Sequence, residues 1–245
     1  MPSERLIRFE EFLRALSAWI EMWADTLLRF DTPEDGWEII PTPWYEGPVA
    51  SDVCFHLMHS ASNCESLVTS IEQLADPSAE GAPADPDDIL FDLSPFIGGS
   101  VTEIKYMSYE FGPLYHNVMN RFLKYMSPED FEEAMRSSLL WSVPNGIGDM
   151  TAFAPPPAGA IASRVGKTAN LSESQLLALG TRLVDVWDAA QRFLAAVDGC
   201  ERFLEGPVWV GLVALNALLA ELHLKIVRLE PAWAVFERAS HFRLD

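Results

Sequence analysis

Between Arg29 and Lys105 the chain has no lysine or arginine, although fifteen carboxylates fall within those 75 positions. Outside this segment 21 acids face 17 bases, so 15 of the 19 net negative charges belong to it alone. A field of one sign governs partners, solubility and association rates rather than fold. It repels nucleic acid and anionic membrane surfaces, and it attracts a basic protein surface or a cation.

Other shortages narrow the class further. Cysteine is sparse and odd in number, with only Cys54, Cys64 and Cys200. A disulfide framework is therefore not expected, and reduced buried thiols are. The chain enters an amphipathic pattern directly after Met1-Pro2-Ser3-Glu4-Arg5, with no apolar leader, so a cytoplasmic location is the expectation. The most apolar run, Val208 to Ala220, is broken by Asn216 and leads into Glu221, His223 and Lys225. It is shorter than the roughly 20 residues a membrane span needs, and reads as a central core helix. No Gly-x-Ser-x-Gly elbow and no constant-period repeat is present. None of the five histidines has a glutamate three residues before it, which excludes a paired Glu-x-x-His di-iron site. No motif calls for a cofactor.

What the chain does have is apolar residues at helical spacing. Apolar content is 49%, with eight tryptophans and fourteen phenylalanines, enough for a full core. Leu6, Phe9, Leu13, Leu16, Ile20, Trp23 and Leu27 alternate steps of three and four, as do Val53, Leu57, Ser60, Cys64, Leu67, Ile71 and Leu74. The same beat runs from Leu176 through Leu179, Leu183, Val186, Ala190 and Phe193 to Val197, and from Leu212 through Leu215, Leu219, Leu222 and Ile226 to Leu229. Ser3, Ser51-Asp52, Ser100-Val-Thr-Glu103, Ser127-Pro128-Glu129-Asp130 and Ser172-Glu-Ser-Gln175 supply helix starts. A further long helix is expected over Ile104 to Met126, kinked or broken at Gly112-Pro113. Asp76-Pro77, Gly199 and Glu230-Pro231 supply stops, with a last short helix after Pro231. The expected fold is all-α: an up-and-down helical bundle of about four long helices plus several short ones. Long loops are expected at 31–50, 76–99 and 142–170, in a single domain over 1–245 whose one candidate internal boundary is the Pro/Gly-rich connection 142–170.

Several short motifs invite chemistry. Gly166-Lys167-Thr168 ends like a phosphate-binding loop, but Ile161 stands where the first glycine should be and a proline triplet stands where the strand should be. Asp87-Asp88-Ile-Leu-Phe-Asp92 resembles the aspartate-rich motif of isoprenoid and terpene synthases, whose carboxylates hold magnesium against a diphosphate. That resemblance spans six residues, and no second metal motif follows on a later helix. A solvated acidic loop is the competing and favoured reading. His56-Leu-Met-His59, with Asn63, Cys54 and Cys64 nearby, is the densest set of metal-capable groups. The stretch from Trp44 to His59, with Asp52-Val-Cys-Phe-His56-Leu57, resembles the second helix of the DinB-like and mycothiol-dependent isomerase families. There a histidine is a metal ligand, but the His-x-x-x-His pair that completes those sites is absent from this chain. By helical angle His56 sits at the edge of the apolar stripe and His59 outside it. Tyr106, Tyr109, Tyr115 and His116 read as a packing face with polar tips.

The proline-stiffened stretch from Thr32 to Pro48 combines Trp37, Trp44 and Tyr45 with Glu34, Asp35, Glu38 and Glu46. Rigid aromatics among acids make anchors for a basic partner, with little ordering cost. Asp85, Asp87, Asp88 and Asp92 extend the same field. The expected function is a non-catalytic acidic binding protein of inhibitor, immunity or adaptor type. It would engage a basic protein, such as a toxin, a nuclease or another nucleic-acid-binding protein, through segment 31–104, without touching nucleic acid itself. The alternative is a metal-dependent or small-molecule enzyme on the bundle, with His56 and His59 as ligands.

Overall fold

A computed structural model describes residues 3–30, 49–76, 78, 85–97, 154–200 and 208–240. The described residues form six helices and no strand: α1 (Glu4–Phe30), α2 (Val49–Ala75), α3 (86–97), α4 (Ala158–Val165), α5 (Glu173–Asp198) and α6 (Val208–Ala239). The expected helix over Ile104 to Met126, the start at Ser127 and the tyrosine cluster lie outside the described residues.

Local chemistry starts α1 and α5 where the sequence says it should, whereas α2 begins at Val49, two residues before the expected Ser51-Asp52 start, so those two residues lie inside the helix and do not cap it. Ser3 Oγ accepts the Leu6 N–H at 3.2 Å, capping α1. Ser172 opens α5 with a complete capping box: its Oγ accepts the Gln175 N–H at 3.3 Å, and its own N–H donates to Gln175 Oε1 at 3.0 Å. Gly199 closes α5 with the N–H bonded back to Ala195.

Polar contacts across the helices fix their directions. On α1 and α2, Ser3 donates to Glu65 while the Cys54 thiol meets the Leu13 carbonyl, so the two run antiparallel. Arg5 bridges Glu65 to Asp198, and Glu72 accepts from Trp187 and Gln191, which sets α2 antiparallel to α5. Asn170 meets Ala239 just before α5 begins, and Arg192 grips Glu221 further along, so α6 is antiparallel to α5. The long helices therefore alternate up, down, up and down. α5 is the central one, packed against α1, α2, α4 and α6.

The core follows the alternating seams. Leu57, Ser60, Cys64, Leu67, Ile71 and Leu74 of α2 are buried, as are Leu179, Leu183, Val186, Ala190, Phe193 and Val197 of α5. α6 contributes Leu215, Leu219, Leu222, Ile226 and Leu229, and continues the seam with Trp233 and Phe236. Each fully buried leucine, isoleucine, valine or phenylalanine among them contributes about 1.5–3 kcal/mol. All three cysteines are free and buried. Burial raises the Cys64 and Cys200 thiols well above their ordinary value, so they pack as small apolar groups.

The structure differs from the sequence expectation in three further places. Helix α3 lies inside the stretch 76–99 expected to be a loop, because Asp85 and Pro86 provide a cap and a first-turn proline. Helix α4 lies inside the 142–170 connection, with Ile161 and Val165 buried. Pro231 does not stop a helix: α6 runs through it as one element. Val227, whose carbonyl loses its N–H partner to this proline, and Pro231 itself are both on the exposed face, so the ring and the lost hydrogen bond disturb no core contact.

Candidate functional site

Helix α3 carries the described half of the acidic segment. Asp85 Oδ1 accepts the Asp87 N–H at 3.0 Å and caps the helix, and Pro86 occupies the first position, where no N–H is needed. Asp87 and Asp88 then sit in the first turn, where the helix dipole favours negative charge. Ile89, Leu90, Leu93 and Ile97 face the core and are essentially inaccessible to water. The opposite face is the stripe Asp88, Phe91, Asp92 and Pro95, all exposed, with Phe91 at 55% exposure. Ser94 pins the helix to α6 by donating to Glu237 Oε1 at 2.6 Å, an oxygen that also accepts the Trp233 indole N–H at 2.9 Å. The acids and the phenyl ring are thus presented outward from a helix anchored by its apolar side.

This face costs the helix something. Asp88 and Asp92 are four residues apart, where like charges are unfavourable by about 0.2–0.5 kcal/mol. Asp92 is beyond the first turn and gains little from the dipole. Phe91 is the residue that sequence reasoning passed over. Its position three after Asp88 and one before Asp92 was the available signal that it shares their face.

The remaining acidic and aromatic candidates, Glu34, Asp35, Trp37, Glu38, Trp44, Tyr45 and Glu46, lie outside the described residues. Of the proposed site, the structure brings together Asp85, Asp87, Asp88 and Asp92 on α3.

On α2 the two histidines diverge. His59 is exposed and lies against the exposed Phe55 ring, centroids 4.3 Å apart. His56 is half-buried, with the Phe55 ring edge-on at 5.8 Å, and its Nδ1 is buried without a hydrogen-bond partner. Among the described residues no group of three or more His, Cys, Asp or Glu side chains is placed to hold a metal ion. Cys54 is turned to the Leu13 carbonyl, and Cys64 is sealed in the core.

Two other motifs also resolve. Gly166-Lys167-Thr168 is the turn that follows α4, at its C-terminal end, where carbonyls rather than N–H groups point outward. That polarity is the reverse of what a phosphate needs. Asp87, Asp88 and Asp92 are exposed, as the competing reading of the aspartate-rich motif expects, but they lie on helix α3 and not in a loop.

Compared with protein-family models, with curated proteins and with solved structures, the chain matches none. No helix among the described residues is long and apolar enough to cross a membrane.

Proposed function

We propose that this is a non-catalytic, acidic helical binding protein that engages a basic protein partner through the Lys/Arg-free segment 31–104. The observation that carries the reading is the outward face of α3, where Asp88 and Asp92 flank the exposed ring of Phe91 in a segment with no cation of its own. Carboxylates along such a face steer a basic partner into contact, and an aromatic ring among them supplies apolar anchoring that charge alone does not. A protein that masks a basic surface in this way acts as an inhibitor, an immunity protein or an adaptor. The aromatic loop with Trp37, Trp44 and Tyr45 repeats the same combination earlier in the segment.

The test is affinity capture from the native host with the full chain as bait, at about 50 mM and about 500 mM salt. An Asp88→Lys/Asp92→Lys bait runs in parallel. A basic protein recovered at low salt, lost at high salt and lost with the charge-reversed bait is the expected result. Captured proteins indifferent to both changes would sink the reading.

A further inference from the structure

The outward face of α6 is apolar, which is the wrong character for the solvent side of a surface helix. Its buried seam runs from Leu215 through Leu222, Ile226 and Leu229 to Phe236. On the opposite side Ala217, Ala220, Leu224, Val227, Pro231 and Ala234 are all exposed, and they follow one another in steps of three, four, three, four and three. That spacing keeps them on one straight stripe about 26 Å long, the form of a helix-pairing seam. Leu224 and Val227 at its centre are 47% and 39% exposed. Among the described helices α6 packs chiefly on α5, so this stripe points away from the bundle.

We propose that the stripe is a self-association surface on which α6 of a second copy lies antiparallel across a two-fold axis near Leu224 and Val227. Charge decides the occupant. The chain carries a net −19, yet residues 208–239 hold three acids (Glu221, Glu230, Glu237) and three bases (Lys225, Arg228, Arg238). α6 is therefore a neutral face on a strongly acidic molecule, where a second copy can approach without meeting like charge. It is also the face with least to offer the basic partner of the acidic segment. The flanks of the stripe are self-complementary in the antiparallel sense. On one side Arg228 comes opposite Glu221 of the second copy, a carboxylate that also holds Arg192 of its own chain and would be shared between the two guanidinium groups, and the two-fold repeats the pair. On the other side His223 comes opposite Glu230 of the second copy, an N–H donor facing a carboxylate. A parallel arrangement would set Arg228 beside His223 and lose both pairings.

Sedimentation velocity of the full chain over about 1–200 μM reads the outcome, a span that covers weak to firm dimers. The wild type is expected to shift from monomer to dimer across this range. Leu224→Asp should raise the dimer dissociation constant by at least about 100-fold, since each substitution enters twice across a two-fold. Leu177→Asp, at an equally exposed leucine of α5, controls for a general effect of added acid and should leave the dimer intact. A wild-type chain that stays monomeric throughout overturns the proposal. So does a dimer that survives Leu224→Asp. If Leu224→Asp lowers the melting temperature of a chain that never dimerises, the stripe is covered by another part of the same chain, and the proposal fails in that case too.

Discussion

Ser60 is completely buried on α2, and its hydroxyl has no hydrogen-bond partner. A helical serine or threonine ordinarily returns its oxygen to the carbonyl four residues back, as Thr69 does to Glu65 at 2.9 Å and Ser66 to Ser62 at 3.3 Å. Ser60 forgoes this, and one turn earlier His56 Nδ1 is likewise buried and unpartnered. An unsatisfied buried hydroxyl costs about 1–3 kcal/mol, and alanine is also the better helix former by about 0.5 kcal/mol. Ser60→Ala is therefore expected to stabilise the fold by about 1 kcal/mol or more, read as a higher urea midpoint at unchanged slope. A less stable variant would mean that the hydroxyl is satisfied in solution. The sequence placed Ser60 in the apolar seam, and its burial bears that out. Whether its oxygen finds a partner depends on rotamer and neighbours, which spacing does not encode.

At the scale of the element, two helical glycines in opposite surroundings should respond with opposite signs. Gly159 lies in α4, and a methyl group there would meet nothing within 4 Å. Gly180 lies in α5 where α4 crosses it, and a methyl group would come within 2.5 Å of the Ala158 carbonyl oxygen. Helix propensity alone favours alanine at both positions by up to about 1 kcal/mol. At Gly159 that preference is unopposed, so Gly159→Ala should stabilise by a few tenths to about 1 kcal/mol. At Gly180 the obstacle is backbone and cannot rotate away, so Gly180→Ala should destabilise by about 1–3 kcal/mol. Thermal melts of both variants decide this, and a stabilised Gly180→Ala would show that α4 is not seated on α5 as described.

The caps show how far local sequence carries and where it stops. Ser172 to Gln175 was readable as a capping box because its hydrogen bonds involve neighbours in the chain, and the structure has both of them. Asp85-Pro86-Asp87-Asp88 follows the same rules of cap, proline and first-turn acids, yet among prolines and alanines its acids read as a solvated loop. The apolar set Ile89, Leu90, Leu93 and Ile97 that makes it a helix is short, and only burial against the bundle distinguishes it from an apolar patch in a loop. Pro231 misled in the opposite direction. A proline stops a helix when its ring and its lost hydrogen bond disturb packed neighbours, and on the side of α6 that faces away from the core they disturb none.

At the scale of the whole molecule, stability and the proposed function pull on the same charges in opposite directions. With 15 of 19 net negative charges in one segment, self-repulsion acts against the folded state wherever those carboxylates are held close. Salt screens it, with a Debye length of about 30 Å at 0.01 M and about 10 Å at 0.1 M. Asp92 is the sharpest place to separate the two demands, because it faces solvent, lies one turn after Asp88 and sits outside the reach of the helix start. Asp92→Lys removes a like-charge pair and gives Asp88 a cation one turn on, in the favoured order of acid before base. The expected gain is about 0.5 kcal/mol at low salt, shrinking as salt is raised toward 0.1 M and beyond. Recovery of the proposed basic partner in the capture experiment should fall with the same substitution, since the new ammonium group sits beside Phe91 on the proposed binding face. A residue kept only for solubility or stability would not behave this way: its replacement would leave capture unchanged. Higher stability together with weaker capture is the pattern expected if the cation-free face exists for a partner, and equal capture by both chains would remove α3 from the binding surface.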